Sequence, residues 1–147
     1  KRKFSNKTNS HFKFFVNIGI PLRQLYGQTE QIGAYTIHRK GDIDFDSVGF
    51  PFDTVKIDID KPDEEGIGEI KVSNKNCMQG YLNIKENFLS NGWFFTGDAG
   101  YINKRGHLVV IDRMSDLSYT AQNLRYSPQY IENKLKFSSY IAEDAVI

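Results

Sequence analysis

The sequence has a single cysteine, Cys77, in 147 residues, so no intrachain disulfide can form. A chain of this length buries roughly two-thirds of its unfolded surface and can fold without one. That cysteine usage fits a reducing compartment. Long apolar runs are also missing: stretches such as residues 108–111 fall far short of the ~18 apolar residues that read as a membrane span. Neither sign of charge is in excess, with 19 basic and 18 acidic side chains and a net charge of +1. A duplex-binding face needs a strong basic excess, so nucleic acid is not expected as a partner. No internal repeat, heptad pattern, signal peptide or low-complexity segment is present, and neither is a Gly-x-Ser-x-Gly elbow or a dinucleotide fingerprint. The chain opens on Lys1 without a Met and stops inside the apolar run Ala145, Val146, Ile147. Both ends predict a fragment of a longer protein.

What is present divides into three stretches. Residues 1–10 are polar, basic and expected to fray; residues 11–17 then place Phe12, Phe14, Phe15 and Val16 ahead of Gly19, predicting a helix stopped by glycine. Residues 22–26 read as a strand that Gly27 breaks into a tight turn. From 41 to 111, short alternating runs separated by Gly, Pro, Asn and Asp predict an all-β unit. In it, 55–59 and 68–72 form a hairpin and 93–96 and 107–111 two further strands, with Gly97 and Asp98 in a loop and residues 103–106 in a turn. After Arg113 a new unit starts, with a small hairpin of 117–120 and 124–126. Ser127 and Pro128 then supply the N-cap and first helical position of an amphipathic helix bearing Tyr130, Ile131, Leu135 and Phe137. A last strand begins at Asp144.

Three segments join turn-forming glycine or clustered charge to side chains for which a core has little use. Tyr26, Gly27, Gln28, Thr29 and Glu30 bring together an aromatic face, a hydroxyl and a carboxylate. They could stack on a planar base, donate to a phosphate oxygen and reach a magnesium ion, or simply form a strand-to-helix turn capped by Thr29. In Thr96, Gly97, Asp98, Ala99 and Gly100 one carboxylate sits between glycines, suited to accept two hydrogen bonds from the diol of a ribose or to make an ordinary turn. Asp112, Arg113, Met114, Ser115 and Asp116 gather charge at a unit boundary. That is a solvated linker unless the apolar strand before it aims the Arg113 guanidinium at an anion.

Other candidates are weaker. Asp42, Asp44 and Asp46 open like a calcium loop, but Ser47 occupies the position that needs glycine. His11, His38 and His107 lack metal-ligand spacing and Cys77 has no partner cysteine, so none is given a role.

Taken in order, YGQTE (26–30), GWFFTGDAGY (92–101), GHLVVIDRMSDL (106–117) and SPQYIENKLKFSSYI (127–141) resemble the AMP-forming acyl-CoA synthetases of the adenylate-forming superfamily. The resemblance runs from about residue 14 to 147, and around the last helix it is greatest to bacterial long-chain fatty acid CoA ligases. It implies a mixed α/β and β fold. Residues 1–113 would end the large N-terminal AMP-binding domain, with a distorted β-barrel over 41–111. Residues 114–147 would be the hinge and the beginning of a small α+β C-terminal lid domain. The implied activity is ATP-dependent activation of a long-chain fatty acid as acyl-AMP, then transfer to CoA. Its cofactors and co-substrates would be ATP, Mg2+ and CoA.

By position, the resemblance makes Tyr26 the ring on adenine, with Gly27 beside it, Thr29 a phosphate ligand and Glu30 the magnesium carboxylate. Asp98 would hold the ribose hydroxyls, Arg113 the ribose and phosphate region, and Ser115 with Asp116 the interdomain hinge. Catalysis would rest on Thr29, Glu30 and Arg113. The expected setting is cytoplasmic, with contact at the inner face of a membrane open to such an enzyme. The chain departs from the family in four ways: it holds neither the phosphate loop nor the catalytic Lys, Lys1 to Phe4 replace a Gly-Gly-Ala-like segment, Ser115 replaces the usual hinge Asp or Lys, and Asn123 replaces a glycine. Alternatives are another adenylate-forming enzyme, acting on aryl or amino acids or resembling luciferase, and a noncatalytic truncated paralogue that binds only a nucleotide or a partner.

Overall fold

The computed structural model describes residues 7–83, 89–122 and 125–135. The expectations for residues 1–4, Asn123, Phe137 and the strand from Asp144 lie outside these.

Helix α1 (Lys7–Asn17) ends where the sequence places its stop. The amide of Gly19 donates to the Val16 carbonyl and that of Ile20 to the Phe15 carbonyl, both at 3.0 Å, with Gly19 at φ +88°. This is a Schellman turn, in which glycine adopts the left-handed region without a Cβ penalty. The helix start differs from expectation, because residues 7–10 are helical rather than frayed. Phe12 anchors the segment: it is buried, stacked on His38 and edge-on to Phe45, so tertiary packing lets the helix propagate back through polar residues.

Strands β1 (Leu25–Gln28), β2 (Gly33–Ile37) and β3 (Phe50–Pro51) form an antiparallel sheet, and Thr29–Gln31 make one 3-10 turn between the first two. β1 starts later than its composition suggests because the Gln24 amide donates to His38 Nδ1. Gly27 lies inside the strand at a bulge instead of breaking it. A Cβ there would sit 2.1 Å from the Gly33 carbonyl oxygen, so glycine allows two backbones to approach.

The second sheet holds the expected hairpin, β4 (Val55–Asp60) and β5 (Gly68–Asn74), together with β6 (Leu89–Ser90), β7 (Trp93–Ile102) and β8 (Leu108–Arg113). β5 pairs along one edge of β7 from Phe94 to Gly100. The opposite edge is shared, β6 taking Trp93 and Phe94 and β8 taking residues 98–102. The loop expected at Gly97 and Asp98 is therefore part of β7, and Asp112 and Arg113 belong to β8. Register explains the misreading: Glu69 faces Ala99 and Lys71 faces Phe95, so Ile70 alone lies opposite Thr96, Gly97 and Asp98. Gly97 sits at φ +72°, and the surplus residues bulge out of the ladder.

The two sheets meet where the Val48 amide donates to the Leu108 carbonyl and the Leu108 amide to the Gly49 carbonyl, both at 2.9 Å, and again where Tyr26 and Gln28 of β1 reach the β7 bulge. They do not close: β4 and β6 end the sheet path, and no barrel forms among the described residues. Tyr35, Val55, Ile70, Val72 and Leu108 form the core, with Tyr26, Val48, Ile57, Ile59 and Val110 packed around it.

Beside that core lies a buried polar chain. His38 Nδ1 accepts from the Gln24 amide, so Nε2 carries the proton toward the Asp44 carbonyl (3.0 Å) and Ser47 Oγ (3.1 Å). Ser47 Oγ in turn lies 2.8 Å from His107 Nδ1. These histidines, without a role in the sequence reading, tie β2 to the start of β8. Asp42 and Asp44 face Arg105 in ion pairs.

The small hairpin forms from β9 (Ser118–Tyr119) and β10 (Arg125–Tyr126), and α2 (Pro128–Leu135) follows with Pro128 at its start. Arg125 fastens this hairpin to the β4–β5 turn, donating to the Ile67 carbonyl at 3.2 Å and pairing with Asp63 at 3.2 Å. The Ser127 hydroxyl donates to Asp112.

Candidate functional site

The β7 bulge sets the geometry of the site. Thr96 Oγ1 donates to the Ile70 carbonyl at 2.8 Å and accepts from the Asp98 amide at 3.1 Å, while the Gly97 amide donates to Glu69 at 3.0 Å. With its backbone held on both sides, the bulge fixes the Asp98 carboxylate, which is only 10% exposed. Three donors converge on it. The Tyr26 hydroxyl donates to Oδ2 at 2.5 Å and Gln28 Nε2 to the same oxygen at 3.0 Å, while Arg113 Nη1 pairs with Oδ1 at 3.1 Å. A carboxylate offers roughly four acceptor positions, so Oδ1 keeps about one for a ligand while Arg113 stays.

Tyr26 comes from β1, where the bulge at Gly27 turns its ring onto the core, edge-to-face with Tyr35 at 5.3 Å. Burial and the Asp98 hydrogen bond push its hydroxyl far above the ordinary tyrosine range, so it remains a donor. Burial likewise raises Tyr35.

Next to this cluster opens a cleft of about 480 Å3, lined by Gln28, Thr29, Glu30, Glu69, Tyr81, Phe94, Phe95, Thr96, Gly97 and Arg113. Thr29 and Glu30 reach it from the 3-10 turn. Glu30 accepts from the Tyr81 hydroxyl at 2.7 Å, and its carbonyl accepts from the Met78 amide at 2.9 Å. The Tyr81 bond is the main cause of a Glu30 carboxyl held below its ordinary value, with Arg113 adding to it. The hinge candidates Ser115 and Asp116 lie apart, in an exposed 3-10 turn after β8, where the Ser115 hydroxyl donates to Asp116 at 2.7 Å.

The structure thus brings Tyr26, Asp98 and Arg113 into one bonded cluster and sets Thr29, Glu30 and Arg113 on the cleft beside it, with Arg113 common to both, while Tyr26, Gly27 and Asp98 are not among the cleft's lining residues. Sequence reasoning missed Gln28 and Tyr81. Gln28 sat in full view inside YGQTE, and its polar side chain at a strand end was the available signal. Tyr81, beside Gly80 in a stretch without periodicity, carried none.

Among the described residues no three His, Cys, Asp or Glu side chains gather as a metal cage. Magnesium bound with a nucleotide does not need one, since a single carboxylate, phosphate oxygens and water complete its octahedron. Glu30, with the Thr29 hydroxyl beside it on the cleft, fits that role.

No family model matches the chain. Individual proteins do. It is 32% identical over 139 residues to the long-chain-fatty-acid–CoA ligase ACSBG2 of Gallus gallus, covering 92% of this chain and 18% of that protein. Over 132 residues it is 33% identical to the 2-succinylbenzoate–CoA ligase of Staphylococcus epidermidis, covering 86% of this chain and 27% of that one. Its fold matches the O-succinylbenzoate coenzyme A synthetase of Bacillus subtilis in complex with AMP at a TM-score of 0.78 and 29% identity, covering 95% of this chain and 31% of the synthetase. The same synthetase in complex with ATP and magnesium ion matches at 0.76, again with 29% identity and the same coverage. The class these matches define is that of CoA ligases working through an acyl-adenylate. The chain belongs to the adenylate-forming, AMP-binding superfamily, and it spans about a fifth of the length of the long-chain ligases it matches.

Proposed function

We propose that this chain builds the nucleotide wall of an AMP-forming acyl-CoA ligase whose acid substrate is a long-chain fatty acid. The observation that carries the reading is the convergence of Tyr26, Gln28 and Arg113 on the bulge-mounted carboxylate of Asp98. A buried carboxylate at a cleft edge, with one acceptor position open, suits a sugar hydroxyl. Tyr26 would lie against adenine, Asp98 would accept from the ribose, and Arg113, more than half exposed, would turn its free donors to the nucleotide phosphate. Thr29 would donate to a phosphate oxygen, and Glu30 would hold the magnesium that screens phosphate charge.

In the first half-reaction a fatty acid carboxylate oxygen attacks the α-phosphorus of ATP, the bond to the leaving pyrophosphate breaks, and acyl-AMP forms. In the second, the CoA thiolate attacks the acyl carbonyl and AMP leaves. The residues assigned here bind and orient the nucleotide in both steps. Residues 114–147, bearing Ser115 and Asp116, would begin the lid that changes face between them, and the cytoplasmic side of a membrane, where fatty acids partition, is the setting this chemistry suits.

The fatty acid assignment draws on the ACSBG2 and heimdall relatives. A second reading, an aromatic acid, draws on the 33% identity to 2-succinylbenzoate ligases. ATP–pyrophosphate exchange by the protein that carries this chain separates them, with palmitate and 2-succinylbenzoate as alternative acids. Exchange that depends on palmitate is expected; exchange with the aromatic acid alone would favour the second reading, and none with either would contradict both. The 147-residue chain by itself is expected to catalyse no exchange.

A further inference from the structure

Two side chains grip the same pair of acceptors. Gln28 Nε2 donates to the Thr96 carbonyl at 3.0 Å and to Asp98 Oδ2 at 3.0 Å. Arg113 Nη1 donates to the Thr96 carbonyl at 3.1 Å and pairs with Asp98 Oδ1 at 3.1 Å. Each bridges the bulge from its carbonyl to one oxygen of the carboxylate. They differ in freedom. Arg113 is 56% exposed on the last residue of β8, whereas Gln28 is half-buried, with Oε1 accepting from the Tyr35 hydroxyl at 3.4 Å. The Gln28 amide is therefore used at both ends, which fixes its orientation as well as its position.

We infer that Gln28 is the positioning residue of the ribose contact, holding Asp98 in place when Arg113 leaves it for the nucleotide. The inference rests on the proposed nucleotide reading. A ligand's phosphate competes with Asp98 for the guanidinium, and a carboxylate that lost its partner would be free to rotate. Gln28 and Tyr26 prevent this by keeping Oδ2 occupied, so that Oδ1, with two acceptor positions after Arg113 departs, faces the sugar. Glutamate at position 28 could not do the same, since it would set a second carboxylate against Asp98.

The test uses the protein that carries this chain and two probes, AMP and 2′,3′-dideoxy-AMP, with affinities from calorimetry or NMR titration. Wild type should prefer AMP. Gln28→Met keeps length and removes both donors; it should weaken AMP by about tenfold, as expected for hydrogen bonds to a charged group, and dideoxy-AMP by less than twofold. Gln28→Glu keeps the shape and the Tyr35 acceptor; it should lose the ribose preference altogether, which covers the case of a Met variant that folds poorly. Equal losses for the two probes would mark Gln28 as merely structural and overturn the inference, as would an unchanged preference in both variants. A wild type that binds the probes equally would overturn the ribose reading and this inference together.

Discussion

The Tyr26 hydroxyl donates to the Asp98 carboxylate at 2.5 Å, across 72 residues of sequence. With the two bonds of Gln28, it joins the first sheet to the bulge of the second, and it joins the ring proposed for adenine to the carboxylate proposed for ribose. Tyr26→Phe keeps the ring and deletes the donor. AMP affinity should fall about threefold to tenfold, less than the full worth of a hydrogen bond to a charged acceptor, because Asp98 keeps Gln28 and Arg113 as partners. Tyr26→Leu should lose more, because the stacking face goes as well. Calorimetry on both variants checks this: wild-type affinity in the Phe variant would remove the hydroxyl from the account, and wild-type affinity in the Leu variant would remove Tyr26 from the site.

Asp98→Ala should weaken ATP binding by at least tenfold. The substitution removes the ribose acceptor and leaves the donors of Tyr26 and Gln28 without their carboxylate; each charge-assisted hydrogen bond is worth about 1.5 to 3 kcal/mol. Asp58→Ala is the control. Its side chain is 58% exposed and paired with Lys71 at 3.1 Å, a surface ion pair of small consequence. Equal ATP affinities for the two variants would count against the ribose contact.

Much of the fold around this wall was legible in the sequence, for local reasons. Alternation at residues 55–59 and the turn-rich stretch after it specify the β4–β5 hairpin, and Gly19 specifies the end of α1, because each signal acts over a few residues. The failures were non-local. Whether Gly97 and Asp98 make a loop or a bulge depends on Ile70 in the partner strand, and Gly27 looks like a breaker unless Gly33 is known to pass beside it. Gln28 drew no role because its partners, Thr96 and Asp98, are 68 and 70 residues away. The barrel expected over 41–111 is not closed among the described residues, where two sheets are joined at Leu108 and at the β7 bulge; sheet closure depends on edges that no single strand encodes.

Gly97→Ala should distort the bulge without clashing. A Cβ there would meet only Arg113 Nη1, at an ordinary 3.5 Å, but the backbone sits at φ +72°. The left-handed region costs an L residue roughly 1 to 2 kcal/mol, so urea unfolding should show a loss of that order, with AMP affinity reduced alongside it. An unchanged midpoint would mean the bulge does not need the glycine.

Stability should depend on pH through His38. Its ring is fully buried, and burial holds it below the ordinary value of 6.5, with His107 adding repulsion and Asp44 and Asp42 opposing. A neutral form favoured by folding means that the unfolded chain binds more protons between the two values. The contribution is therefore complete above the unfolded value and is lost as pH falls toward the folded one. Thermal unfolding should show Tm dropping from pH 7.5 to about 5 in wild type and dropping less in His38→Gln. Parallel slopes would place the sensitivity elsewhere.

The central claim, that this wall receives the adenosine half of a nucleotide, is tested most directly by titrating the isotopically labelled 147-residue chain with AMP and following backbone amide shifts. The account predicts saturable shifts centred on Tyr26, Gln28, Gly97, Asp98 and Arg113, absent when Asp98 is replaced by Ala. Shifts that are missing, that centre on α1 or the β9–β10 hairpin, or that persist in Asp98→Ala would contradict it.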